Sequence, residues 1–188
     1  MTARPASPGR RSADDWIHAG YAVLADEGSR ALKLDRLCAR LGVTKGSFYW
    51  HFADMATYRR ALVTTWAQLR DRDRSHFADL AGLPPRERLS AMMATLLSAR
   101  QWNLERAMRE WARIDPAVAE SVRAADSLVL AAVRQAFVDA GFTGDEADVR
   151  ADATFAAGIG FLHLSAKPPV ESATARHERF LDVLFERR

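Results

Sequence analysis

The stretch Leu34–Phe52, LDRLCARLGVTKGSFYWHF, reads as two short helices joined by a tight turn. Leu34, Leu37 and Leu41 recur at three- and four-residue spacing, which places them on one helical face. Gly42 follows at once, and glycine most readily takes the left-handed conformation that closes a helix. Val43 tucks an apolar side chain under the turn. Thr44 is placed to cap the second helix, its hydroxyl accepting from an amide of the next turn. Cys38 falls where the two helices cross, and a small side chain suits that point. Phe48 and Phe52 face the core. Thr44, Lys45, Ser47, Tyr49, Trp50 and His51 are left mostly outward, with Trp50 divided between core and surface. A short exposed helix tipped with hydrogen-bonding, basic and aromatic groups is what reading a DNA groove requires.

Working outward, Ser12 with Asp15 forms a capping box for a first helix that runs to Glu27 and stops at Gly28. Asp54 caps a fourth helix with an apolar stripe of Met55, Tyr58, Leu62, Trp66 and Leu69, and its charged later half, Arg70 to Arg74, continues as a solvated helix. GLPP at Gly82–Pro85 is the clearest punctuation in the chain. A fifth helix carries Leu89, Met92, Met93, Leu96 and Leu97, with Arg100 next on that stripe. A sixth carries Leu104, Met108 and Trp111. Asp115-Pro116 opens a long seventh helix, since proline is tolerated in the first turn. Thr143 with Glu146 opens an eighth reaching about Ser165. Pro168-Pro169 breaks the chain, and a last helix covers Ala173 to Glu186. No strand pattern stands out. The expectation is an all-α chain of about nine helices: a basic tail over 1–11 without a core, a helix-turn-helix domain over 12–69 and a helical domain over 70–188.

The chain has 188 residues and a net charge of +3, unevenly spread. Residues 1–60 hold ten Lys or Arg against six Asp or Glu, and the remainder hold seventeen against eighteen. The positive excess thus lies with the groove-reading segment, and Arg4, Arg10 and Arg11 in the tail are candidates for a flexible arm on DNA. The single cysteine, Cys38, excludes an intrachain disulfide and reads as a small hydrophobe. No apolar run approaches a membrane span, and the first eleven residues lack the apolar stretch of a signal peptide. A soluble cytoplasmic protein is expected.

Residues Asp15 to Leu62 resemble the amino-terminal domain of the TetR family of bacterial transcriptional regulators. The run LGVTKGSFYWHF carries the resemblance, with GYAVLADEG upstream and DMATYRRAL downstream. WARIDPAVAES, Trp111–Ser121, adds to it in the second half. Lys33 stands where that family commonly has a capping Ser or Thr, and Met55 where a Lys or Arg often touches phosphate. The resemblance implies a homodimeric repressor that binds a palindromic operator in double-stranded DNA and is released by a small apolar effector. Thr44 and Ser47 then lie near base edges. Lys45 takes a phosphate or guanine, and Tyr49 and His51 take phosphates, as does part of Trp50. Gly46 allows close backbone approach and Lys33 donates to a phosphate beside the second helix. A ligand-independent structural DNA-binding protein is the alternative.

The second half is rich in Met and aromatic residues, which fill adaptable pockets as well as cores. Met92, Leu96, Arg100, Trp102, Met108, Trp111, Phe137 and Phe155 are the candidate pocket; Arg100 either snorkels past the helix end or pairs with Glu105 or Glu110, or else it anchors an anionic group of the effector. Binding is then expected to tilt the fourth helix and spread the reading heads. Small residues at Ala156, Gly158 and Gly160, with Ile159, Leu162, Phe180, Leu181 and Leu184, form the candidate dimer interface. No His or Cys pair has metal-site spacing, and no phosphate-loop, dinucleotide or nucleophile-elbow motif is present, so neither a metal, a cofactor nor an enzymatic activity is expected.

Overall fold

The computed structural model describes residues 11–164 and 171–187, with side chains for all of these except 73–79, 81, 99–100 and 171–174. Arg4, Arg10 and the Pro168-Pro169 break lie outside the described residues. Those residues form nine α-helices and no strand: α1 Ala13–Glu27, α2 Leu34–Leu41, α3 Lys45–Tyr49, α4 Met55–Asp79, α5 Pro85–Leu96, α6 Ala99–Ala112, α7 Pro116–Asp139, α8 Gly144–Leu164 and α9 Glu171–Phe185. The chain divides into two compact units, Met1–Thr65 and Trp66–Arg188, and α4 contributes to both.

Local chemistry sets the helix boundaries in the first unit. The Asp15 amide donates to Ser12 Oγ at 3.2 Å, and the Ser12 amide donates to Asp15 Oδ2 at 2.8 Å. These bonds satisfy amides that a helix start leaves without partners, and they hold the Asp15 carboxyl below its ordinary pKa. Gly42 ends α2 at φ 67°, a backbone state that a β-carbon would strain. The Thr57 amide donates to Asp54 Oδ1 at 2.6 Å and starts α4.

Aromatic rings fill this unit's core. Phe48 is fully buried, its ring centre 5.3 Å from that of Trp16, 5.4 Å from Phe52 and 5.5 Å from Tyr58. Burying one such ring contributes about 1.5–3 kcal/mol. The phenols find partners: Tyr58 Oη donates to the Trp16 carbonyl at 2.7 Å, and Tyr21 Oη to the Leu62 carbonyl at 2.9 Å. Burial pushes the Tyr58 pKa up. Gly20 is required where α1 meets α4, because a β-carbon there would stand 2.2 Å from Tyr58 Oη.

In the second unit, α7 packs against α5, α6 and α8, and α5 also packs against α9. Asp115 accepts from the Ala117 and Val118 amides at 3.0 and 3.4 Å, starting α7 with Pro116 in its first turn. One core cluster gathers Leu89, Met92, Val133, Phe137, Phe142 and Leu181; a second gathers Met93, Leu97, Trp102 and Leu162. Gly158 lets α8 approach α5, since a β-carbon would sit 3.2 Å from Leu96 Cδ2, whereas Gly160 has open space beside it. Arg86 ties α5 to α9 through Glu178 at 2.9 Å and Asp182 at 2.6 Å.

One expected feature is corrected. The α5 stripe does not run on to Arg100, because α5 ends at Leu96 and Ser98 turns extended at ψ 144°. Arg100 therefore belongs to the first turn of α6. Neither glycine nor proline marks the break.

Candidate nucleic-acid interface and ligand cavity

The head presents its polar tips on α2, α3 and the turn that follows. Lys33, Thr44, Lys45, Gly46, Tyr49 and Trp50 are exposed, and Ser47 and His51 are half-buried. Two details differ from the sequence reading. Thr44 holds the N-cap position by its backbone, but its hydroxyl makes no cap bond; the Ser47 amide uses the Thr44 carbonyl instead, at 3.1 Å. Trp50 is 77% exposed and contributes nothing to the core, because α3 ends at Tyr49 and the chain turns before the ring can fold inward.

The basic residues around α3 differ in how they are engaged. Arg36 pairs with Glu27 and Arg40 with Asp26, each at 2.8 Å, so α2 is neutralised by the acidic end of α1. Lys45 Nζ lies 2.6 Å from Asp35 Oδ1, and this hydrogen-bonded carboxylate raises the lysine pKa. Both partners are exposed, and exposed pairs contribute only about 0–1 kcal/mol. Lys45 therefore carries full positive charge at the start of α3, and its pairing with Asp35 costs little to break.

A cavity of about 780 Å³, its open mouth included, lies within the second unit. Its lining is largely apolar, with Leu89, Met93, Val129 and Ile159 joining the expected Met92, Leu96 and Phe155. Trp102, Met108, Trp111 and Phe137 are buried in the surrounding core and do not line it. The Arg100 side chain lies outside the described residues.

One wall of the cavity is polar. Glu105, only 3% exposed, faces Arg70 Nη1 at 2.8 Å and Arg109 Nη2 at 3.7 Å. Arg70 also donates to Gln101 Oε1 at 2.8 Å. Arg109 donates to both carboxylate oxygens of Asp126, at 2.9 and 2.7 Å, a two-pronged geometry that fixes α6 against α7. Burial pushes the Glu105 pKa up, with the two arginines opposing it. Burial acts to lower the Arg109 pKa, but the Asp126 bond outweighs it and the net direction is upward.

Residues 17–57 match the family model described as bacterial regulatory proteins, tetR family. This segment, which holds α2 and α3, is similar to the TetR-family amino-terminal domain. The chain thus carries the DNA-binding segment of a bacterial regulatory protein. Its fold is similar to that of a TetR transcriptional regulator from Legionella pneumophila, with a TM-score of 0.77 and 12% identity over 99% of this chain and 100% of that one. It is also similar to a transcriptional regulator from Rhodococcus sp. Rha1, with a TM-score of 0.68 and 19% identity over 93% and 94% of the two chains. Salmonella enterica GusR gives a TM-score of 0.69 and 18% identity over 92% and 94%. No curated protein matches the chain in sequence. No described helix is long and apolar enough to cross a membrane.

The cavity residue that sequence reasoning did not place at the site is Glu105. Its 2.8 Å partner, Arg70, comes from α4, so its burial has no local signature. The spacing of Glu105 and Arg109 on α6 marks them only as a helical ion pair, of a kind common on exposed surfaces.

Proposed function

We propose that the protein is a homodimeric repressor that binds a palindromic operator and is released by a small, mostly apolar effector. The observation that carries the effector part is the cavity, which combines an apolar lining with a few convergent polar groups, the usual make-up of a small-molecule site. Arg70 on the cavity wall belongs to α4, whose first turns belong to the reading head. An effector that favours one position of α4 would change operator affinity by its differential affinity for the two states.

In this reading Thr44 and Ser47 address base edges, and Lys33, Lys45, Tyr49, Trp50 and His51 hold phosphates, with Gly46 at the groove floor. Two heads enter successive major grooves about 34 Å apart. Support for a dimer comes from one face of α8, where Val149, Ala153, Ala156 and Leu164 are exposed and Gly160 lies between them. Ile159, Phe180 and Leu184 are half-buried at the margins. Leu162 and Leu181 are fully buried within the protomer and offer no surface to a partner.

Selection from a random-sequence duplex library tests the reading, together with a reporter carrying the selected site. The expected result is enrichment of an inverted repeat and repression of the reporter. Ala156→Arg should give a monomer by light scattering and lose the repeat. An enriched single half-site bound by a monomer would overturn the dimer, and transcription raised by the bound protein would overturn repression.

A further inference from the structure

The cavity's wall carries more information than its lining. Its described charged residues are two arginines, Arg70 and Arg109, and two carboxylates, Glu105 and Asp126. Each cation already faces an anion: Arg70 meets Glu105 at 2.8 Å, and Arg109 grips Asp126 through both terminal nitrogens. Among the described residues the wall is thus neutral before any ligand arrives. A buried charge without a counter-charge is strongly unfavourable, so a balanced wall disfavours an ionic guest of either sign.

We propose that the effector is an uncharged, largely apolar molecule carrying one end that both donates and accepts a hydrogen bond, such as an alcohol or an amide. This rests on the reading of the cavity as the effector site. A carboxylate could take the terminal nitrogens of Arg109 only by displacing Asp126, whose side chain is 25% exposed, and at Arg109 Nε it would add a further anion beside Asp126 and Glu105. An ammonium group at Glu105 would meet Arg70 and Arg109 at the same place. A neutral hydroxyl avoids both conflicts. It can donate to the Glu105 carboxylate beside the Arg70 contact and accept from Arg109 Nε, a buried N–H with no hydrogen-bond partner. The anionic effector expected from Arg100 is replaced by this neutral one, because arginines elsewhere on the wall are already matched.

The test uses the full chain and matched probes: octan-1-ol, octanoate and octylammonium, with 3-phenylpropan-1-ol, 3-phenylpropanoate and 3-phenylpropylammonium as a second series. Calorimetry should show the alcohol of at least one series binding about tenfold or more tightly than either ion. Glu105→Gln removes one negative charge and should turn the preference to the carboxylate; Asp126→Asn, at a more accessible position, should do the same if the first variant does not fold. Arg70→Gln should turn it to the ammonium. Ala125→Phe, which fills the cavity, should abolish binding. A parent that prefers an ion, or a preference unchanged across the charge variants, overturns the neutral effector while leaving the cavity as a ligand site. Failure of all six probes to bind, or binding unaffected by Ala125→Phe, overturns the effector site itself and the inference with it.

Discussion

In the amino-terminal unit the described charged side chains lie on the outside, and the buried polar groups include two phenols that each donate to a backbone carbonyl. In the carboxy-terminal unit a carboxylate 3% exposed sits between two arginines at the edge of a cavity. The contrast separates two ways of placing functional chemistry. Polar tips on α3 can be exchanged for phosphate without disturbing the core beneath them, because Phe48 and its aromatic neighbours hold the helix from the other side. The charges on the cavity wall hold one another, so any change there is felt by the fold as well as by a ligand.

The largest expected effect breaks the head alone. Phe48→Ala should cost about 3–5 kcal/mol of that unit's stability, as aromatic truncation in a packed core does. Chemical denaturation should show the loss, and a filter-binding assay should show DNA affinity gone. Octan-1-ol binding by calorimetry should be unchanged. Equal loss of both activities would remove the separation between the units.

Next in size is the wall. Arg109→Met strands Asp126 and weakens the screening of Glu105, and removing one partner of a buried pair costs about 3–5 kcal/mol. Arg109 is itself slightly exposed, so the lower end is expected. The loss should appear in the unfolding of the second unit by fluorescence and calorimetry. A change within about 0.5 kcal/mol, typical of surface substitutions, would show that the wall is solvated instead.

A smaller effect sharpens the head's side of the contrast. Asp35→Asn removes an exposed partner and should leave stability within about 1 kcal/mol. Because it releases Lys45, affinity for a mixed-sequence duplex at low salt should rise by roughly three- to tenfold. Lys45→Ala should instead lower the slope of log affinity against log salt by about one. If Asp35→Asn weakens binding, Asp35 is itself a base-reading group and Lys45 is not restrained by it.

The smallest effect is in pH. Burial raises the Glu105 pKa above its ordinary 4.5 in the folded chain. Only between the unfolded and folded pKa values does the folded state hold a proton that the unfolded state has lost, so this contribution is complete below pH 4.5 and is lost as pH rises through the folded pKa, above which Glu105 is the anion that faces Arg70. Asp15 and Asp54 in the head are shifted the opposite way by backbone amides, from 3.8 downward, so their contribution is lost only as pH falls below that value. Melting temperatures from pH 4 to 7 should therefore show Glu105→Gln gaining on the parent as pH rises. A constant difference would mean that Glu105 is ionised throughout this range.

These two regions also differ in how far the sequence discloses them. Ser12 with Asp15, Gly42, Asp54 and Asp115 act on residues within a few positions of themselves, so helix order and the head could be read directly. The face of α3 followed, although the Thr44 hydroxyl and the outward Trp50 depend on how a five-residue helix ends. The α5–α6 break left no trace, because Leu97 and Ser98 carry no turn-specific chemistry. The cavity was legible only as an excess of Met and aromatic residues. Which of them line it is decided by helix rotation: Met92 and Phe155 face inward to the space, whereas Trp102 and Phe137 lie in the clusters around it.

The account's central claim is that α3 and its following turn hold DNA while the fold beneath stands apart from that task. The direct measurement is affinity for a duplex selected by the parent, compared with a Lys45→Ala, Tyr49→Ala double variant at matched salt, with the melting temperature of each recorded. The account predicts loss of binding by at least about a hundredfold with a melting temperature shift of no more than about 2 °C. A double variant that melts like the parent and still binds the selected duplex with the parent's affinity would contradict it.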